Sequence, residues 1–217
     1  VANFIGTKLM RHAVKIAIIG ADDLVGQAIL EQLDAYVSAA QVFVLAEDAS
    51  ADVIDVAGLS HAVEDIASFD FSLVDLAIFC AGNEVAQRYV PIAAQSCWVI
   101  DESSALRGQP ETQLLVPHIN APTQAIEDCP RILTAPNAVA WMLATVLASL
   151  RELSPITSVS VVSLHSVSAL GRAAVDELAR QTTSLFNQQD VPHVLFPQRL
   201  SFNVLPHIGS LGDDGLS

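Results

Sequence analysis

A doubly wound parallel α/β sheet is the fold class this sequence predicts, on three observations. Short aliphatic runs alternate with stretches of helical period from Val14 onward. The runs are continuous, as strands covered on both faces by crossover helices should be. The first run ends in a glycine turn that opens directly into a helical pattern, which favours right-handed crossovers between parallel strands.

The elements follow in order. Val14–Ile19 is the first strand, closed by Gly20, and Leu24–Leu33 is a helix with Val25, Ile29 and Leu33 on one face. Val42–Ala46 is the second strand. Asp75–Cys80 is the third, followed by Gly82 and a helix over Glu84–Ala94. Trp98–Asp101 and Arg131–Thr134 supply the fourth and fifth. Ligands of such sheets sit at the carboxyl ends of the strands, so the informative residues should follow Ile19, Ala46, Cys80 and Asp101. After Asn137 the character changes. An apolar helix over Ala138–Leu150 leads through Pro155 to a Val/Ser-rich strand, Ile156–Val167, then a helix over Arg172–Thr183 and an irregular segment ending in Gly209–Ser217. A domain boundary is expected near Pro136, giving domains 10–136 and 137–217. The strand at Ser158–Val167 is too long to stand alone, so the second sheet is expected to be incomplete. Internal repeats are absent.

Composition narrows the function. Of 217 residues 52% are hydrophobic, enough for a filled core and against wholesale disorder. The formal net charge of −14 disfavours nucleic acid and anionic membrane surfaces as partners. Cys80, Cys97 and Cys129 form no CxxC pair, which points to a reducing compartment and away from a disulfide framework or a metal site. Apolar runs such as Ala138–Leu150 are too short to span a membrane. Lys8, Arg11 and Lys15 precede no apolar block with a cleavage site, so a cytoplasmic protein is expected, and residues before Met10 read as an extension.

Gly20-Ala21-Asp22-Asp23-Leu24-Val25-Gly26 lies where a pyrophosphate-binding turn belongs. Further segments follow: Phe79–Gly82, Val99–Arg107, Val116–Asn120, Ala135–Ala138, Ser166–Gly171 and Phe202–Ile208. In this order, from Lys15 to the last residue, the chain resembles the aspartate-semialdehyde dehydrogenase family, and more closely the Usg-type homologues of that enzyme. The resemblance implies a Rossmann-like doubly wound parallel sheet followed by an α+β dimerisation domain, incomplete here. It also implies a homodimer formed through that domain, with Ile156–Val167 and Phe202–Ile208 as the candidate surface.

The family enzyme reduces an acyl phosphate to aspartate semialdehyde with NADPH, through a thioester on a cysteine that follows a Pro-Asn pair at a helix amino terminus. Here the pair is Pro136-Asn137 and the next residue is Ala138, whose methyl group cannot form a thioester. Cys80, Cys97 and Cys129 read as small apolar fillers. His165 stands at the position of the family glutamine, and Leu164 at that of its tyrosine. The family's later arginine and acid/base histidine fall beyond Ser217, by early termination or because the chain is a fragment. In the turn, Asp23 replaces a glycine that lets backbone approach the pyrophosphate. A carboxylate about 4 Å from a phosphate costs up to roughly 4 kcal/mol at an effective dielectric near 20. After the second strand the family's Ser and Arg for the NADP 2′-phosphate give way to Glu47-Asp48-Ala49-Ser50, which disfavours NADP and leaves NAD conceivable. Arg107 matches the family's phosphate-binding arginine. The alternative is a loop arginine paired with Asp101 or Glu102. His118, His165 and His207 read as structural histidines and no metal is implied. The resemblance places Asn137 beside Arg107 at the substrate phosphate, and the alternative for Asn137 is the cap of the helix that begins at Ala138. Three functions compete: a working dehydrogenase with an unrecognised nucleophile, a catalytically dead family member kept for binding, and a fragment without function. The missing nucleophile favours the second, with a small-molecule substrate doubtful.

Overall fold

The computed structural model describes residues 14–33, 41–47, 53–56, 58–121, 129–191 and 193–206. Eight strands appear among them: β1 Ile16–Ile19, β2 Val42–Ala46, β3 Val53–Val56, β4 Leu59–Asp65, β5 Leu76–Phe79, β6 Trp98–Asp101, β7 Thr112–Leu114 and β8 Ile132–Thr134. They form one sheet in the order β3-β4-β2-β1-β5-β6-β8-β7. Every neighbouring pair is parallel except the β3–β4 hairpin. From β1 the chain winds outward to β2 and β4, then returns to β5 and winds the other way. The topological switch point therefore lies between β1 and β5. The helices are α1 Leu24–Leu33, α2 Asn83–Ala93, α3 Pro117–Asn120, α4 Ala138–Leu153 and α5 Arg172–Phe186.

Two apolar clusters show why the strands read as continuous hydrophobic runs. Ala17, Ile19, Leu45, Ala77, Phe79 and Val99 pack with Tyr89 and Val90 of α2 on one face of the sheet. Ile16, Ile18, Val42, Val44 and Ile78 pack with Leu30 of α1 on the other. Alternate residues of one strand thus enter different clusters, and both faces are dry.

The structure corrects the sequence reading in several places. Of the expected α1 face, Ile29 and Leu33 pack partly buried against the sheet beside buried Gly26 and Leu30, and only Val25 turns away, at 43% exposed. At Gly26 the reason is steric: a Cβ there would lie 2.2 Å from the Gly20 carbonyl oxygen, so only glycine can face inward. The hairpin β3–β4 and the short edge strand β7 add to the strands that the sequence pattern predicts. The strand expected over Ile156–Val167 is absent: residues 155–166 have no ladder partner among the described residues, and Val162 and Leu164 are 93% and 81% exposed. Residues 167–170 form a 3-10 turn instead. Separately from these corrections, internal contacts group the chain into two compact units, one ending at Ser160 and one starting at Val161, with α4 in the first; this grouping does not bear on the domain boundary expected near Pro136.

Candidate functional site

The carboxyl ends of β1 and β5 meet at the switch point. Gly20 has φ +82° and a Cβ there would lie 2.6 Å from the Ala81 backbone nitrogen, so this position needs glycine on two counts. The Gly20 N–H donates to the Leu45 carbonyl at 3.1 Å and the Cys80 N–H to the Ile19 carbonyl at 2.8 Å, which ties the turn to both neighbouring strands. Ala21 is buried and Asp22 exposed, while Asp23, Leu24, Val25 and Gly26 lead into α1. The packing glycines of a dinucleotide turn, Gly20 and Gly26, are therefore kept in place. The middle position is not. The Asp23 N–H donates to the Gly20 carbonyl at 3.2 Å, and Asp23 Oδ1 accepts the Leu24 N–H at 2.7 Å. A carboxylate and its Cβ occupy the position where glycine lets backbone approach a pyrophosphate.

At the carboxyl end of β2, Glu47 accepts a hydrogen bond from Arg88 Nη1 of α2 at 2.7 Å. Sequence reasoning missed Arg88, because the two residues are 41 positions apart and nothing local links them. Asp48, Ala49 and Ser50 lie outside the described residues.

Where β6 and β8 end, Arg107 reaches the segment that leads through Asn137 into Ala138. The Arg107 Nε–H donates to the Ala135 carbonyl at 2.7 Å and Nη2 to the Glu102 carbonyl at 3.0 Å. Arg107 is thus clamped by backbone oxygens, and neither Asp101 nor Glu102 holds it through a side-chain hydrogen bond. The Ala135 N–H donates to the Asp101 carbonyl at 2.9 Å, fixing the turn beside β6. Asn137 caps α4, its Oδ1 accepting the Val139 N–H at 2.9 Å. Ala138, the first residue of α4, is exposed at a helix amino terminus, where the dipole would favour an anion.

The surroundings are electronegative. Asp101 is fully buried and accepts from the Ser103 N–H and hydroxyl at 2.9 and 3.0 Å. Burial pushes the Glu102 carboxyl above its ordinary range, with Arg107 opposing and Asp101 adding to the rise. The Cys80 thiol is pushed up to about 12, first by burial and then by Glu102, Asp23 and Asp101. The Cys97 thiol rises to about 11, mainly by burial. Cys129 is also buried. A nucleophilic cysteine needs a lowered pKa and access, and Cys80 and Cys97 have neither.

Of the remaining candidates, His118 is exposed on α3. His165 lies in the second unit with Nε2 3.1 Å from the Ser163 hydroxyl. His207 lies outside the described residues.

The chain matches the model of the semialdehyde dehydrogenase NAD-binding domain over residues 15–128 and that of the semialdehyde dehydrogenase dimerisation domain over residues 147–217. It is 34% identical over 211 residues to an aspartate-semialdehyde dehydrogenase of Rickettsia conorii, covering 95% of this chain and 62% of that protein. It is 35% identical over 212 residues to a USG-1 protein homolog of Pseudomonas aeruginosa, covering 96% and 62%. A solved structure of aspartate semialdehyde dehydrogenase II from Vibrio cholerae superposes with a TM-score of 0.84 at 30% identity, covering 94% of this chain and 62% of that one. The chain thus spans about three-fifths of the length of these relatives. Glycine-cornered turn, clamped arginine and two family models agree: the chain belongs to the semialdehyde dehydrogenase family.

Proposed function

We propose that this chain is a family member that has given up the dehydrogenase reaction. One observation carries the reading: at the amino terminus of α4, behind Pro136-Asn137, stands the methyl group of Ala138. The acyl-transfer half of the reaction needs a sulfur there that displaces phosphate and keeps the acyl group attached. Alanine offers no lone pair for that attack, and water would release the acid instead of holding a thioester. Other features support the reading. Cys80 and Cys97 are buried thiols with raised pKa values, the wrong state for a nucleophile at neutral pH. Asp23 opposes a pyrophosphate, so NADPH is expected to bind very weakly and NADH no better than weakly. Arg107 and the α4 amino terminus together still make a locus for a small anion, which in the full reaction would be the substrate phosphate. What persists is an anion-binding corner without the nucleophile it once served.

The expected result is no phosphate-dependent oxidation of aspartate semialdehyde above background with NAD or NADP, and no rescue by Ala138→Cys alone. Measurable turnover by sequence-verified protein would sink the reading.

We further propose a homodimer. The match to a dimerisation domain over 147–217 and the exposed apolar side chains of Ile156, Val159, Val161, Val162 and Leu164 support this surface. Sedimentation should give a dimer at micromolar concentration, and a monodisperse monomer would contradict it.

A further inference from the structure

A phosphorylated dinucleotide in an open α/β sheet is gripped at two anionic points: its pyrophosphate at the first helix amino terminus and a 2′-phosphate beyond the second strand. In this chain each point already holds a carboxylate. At the β1–α1 turn, Asp23 Oδ1 accepts the Leu24 N–H at 2.7 Å, a backbone donor of the kind a pyrophosphate oxygen takes. Beyond β2, Glu47 Oε1 accepts from Arg88 Nη1 at 2.7 Å, and a nearby arginine is what accommodates a 2′-phosphate. The two pairs come from different elements and share no residue.

We infer that Asp23 and Glu47 stand in for the two phosphate groups of a 2′-phosphorylated dinucleotide, so that the crevice is blocked by anions of the chain itself. The inference rests on the reading of this turn as a degenerate dinucleotide site, and it assigns Arg88 a role that nothing in the local sequence suggests. Arg88 is a 2′-phosphate ligand held in reserve by Glu47. Three features make the exchange physically accessible. The Arg88 and Glu47 side chains are 63% and 37% exposed, so a ligand can reach them. An exposed ion pair of this kind contributes little to stability, so replacing its carboxylate leaves the fold intact. Arginine binds phosphate in two-pronged fashion and with more charge than a single carboxylate supplies, so the phosphate wins once Glu47 is neutral. The Asp23 carboxylate acts differently. It fills its donor from within the same turn and repels a phosphate by its charge, which glycine and serine both remove, while glycine also clears the Cβ.

The test uses the full chain and two probes that separate the points: adenosine 2′-monophosphate for the β2 edge and ADP for the turn, each titrated by calorimetry. Glu47→Gln should tighten adenosine 2′-monophosphate by roughly tenfold, about 1.4 kcal/mol, and leave ADP within about twofold. Adding Arg88→Ala to Glu47→Gln should remove that gain. Asp23→Gly should show the reverse selectivity, tightening ADP and leaving adenosine 2′-monophosphate unchanged. Circular dichroism of each variant verifies that it folds, and Asp23→Ser, which keeps a cap without the charge, replaces the glycine variant if that fails. No gain in Glu47→Gln, a gain that survives Arg88→Ala, or an ADP affinity indifferent to position 23 overturns the inference. Low-micromolar ADP binding by the unaltered chain would instead overturn the degenerate-site reading beneath it.

Discussion

In the first unit the largest fully buried side chains include Phe79, Ile18, Ile19 and Leu45, whereas in the second Glu177 and Gln181 are buried to 1% and 0% exposure. The first unit is held by area removed from water, a force without direction that needs only apolar side chains on the correct faces. The second is held by a polar clip. Glu177 Oε1 and Oε2 accept the Val194 and Leu195 N–H groups at 3.1 and 2.7 Å, and Oε1 also accepts from the Gln181 amide at 2.9 Å. Gln181 Oε1 in turn accepts the Leu200 and Ser201 N–H groups at 2.8 and 3.2 Å. Two side chains on adjacent turns of α5 thus fasten a segment without regular structure. A core of hydrocarbon tolerates substitution in proportion to volume, while a clip of this kind fails when one atom changes its hydrogen-bonding sense.

The largest effect should come from emptying the hydrocarbon side. Phe79 packs against Phe71 with ring centroids 6.4 Å apart and is fully buried. Phe79→Ala should cost about 3–5 kcal/mol, much of the 5–15 kcal/mol that holds a typical domain. Urea denaturation measures the loss, and amide exchange locates it. Protection of Ile18 and Val99 should collapse while that of Leu195 and Ser201 holds. Equal loss at both would mean one shared stability, and the contrast between the units would be void.

A smaller and more local effect is expected from Glu177→Gln. The side chain keeps its volume but has one acceptor oxygen where the carboxylate has two, and its amide then meets a backbone N–H donor to donor. Losing charge-assisted bonds and leaving a buried donor unpaired should cost about 2–3 kcal/mol. Exchange of the Val194 and Leu195 amides should accelerate while β1 and β5 stay protected. Unchanged exchange would show that the segment is held by other contacts.

These two halves also differ in how much the sequence discloses. Strands β1, β2, β5, β6 and β8 were legible because parallel strands buried on both faces are runs of aliphatic residues bounded by turns. The β3–β4 hairpin was harder. Leu59–Asp65 carries Ser60, His61, Glu64 and Asp65 among its apolar residues, and its place depends on pairing with β2, which no local pattern encodes. β7, at three residues, is too short to carry a period. Ile156–Val167 has strand composition but no ladder partner among the described residues, and composition without a partner gives no strand. At the candidate site, Asn137 was legible as a cap because its chemistry is local. The partners of Arg107 were not, since a guanidinium can take backbone carbonyls as readily as carboxylates and the choice is made by the fold. Arg88, Glu177 and Gln181 act across loops for the same reason.

The smallest effect expected is one of pH, and its sign follows from the bonds around Glu177. Burial is the largest single influence and raises the pKa of this carboxyl, but the Leu195, Val194 and Phe196 N–H groups and the Gln181 amide together outweigh it. Glu177 therefore titrates below the ordinary carboxylate range in the folded chain. When the segment opens, the carboxyl returns to an ordinary value of about 4.3. The open state thus binds the proton more readily, and acid favours opening. The contribution of Glu177 is fully present above that ordinary value and is lost as pH falls through the lower folded value. Between pH 8 and pH 6 the opening free energy of the Val194 and Leu195 amides, taken from exchange rates corrected for intrinsic pH dependence, should be flat. Below about pH 4.3 it should decline. Glu177→Gln should remove the decline, because the group that titrates is gone. A decline of equal size in the Gln variant would assign the acid sensitivity to another carboxylate. A rise in protection on acidification would mean that burial, not hydrogen bonding, governs this group, and the second unit would then be closer in kind to the first.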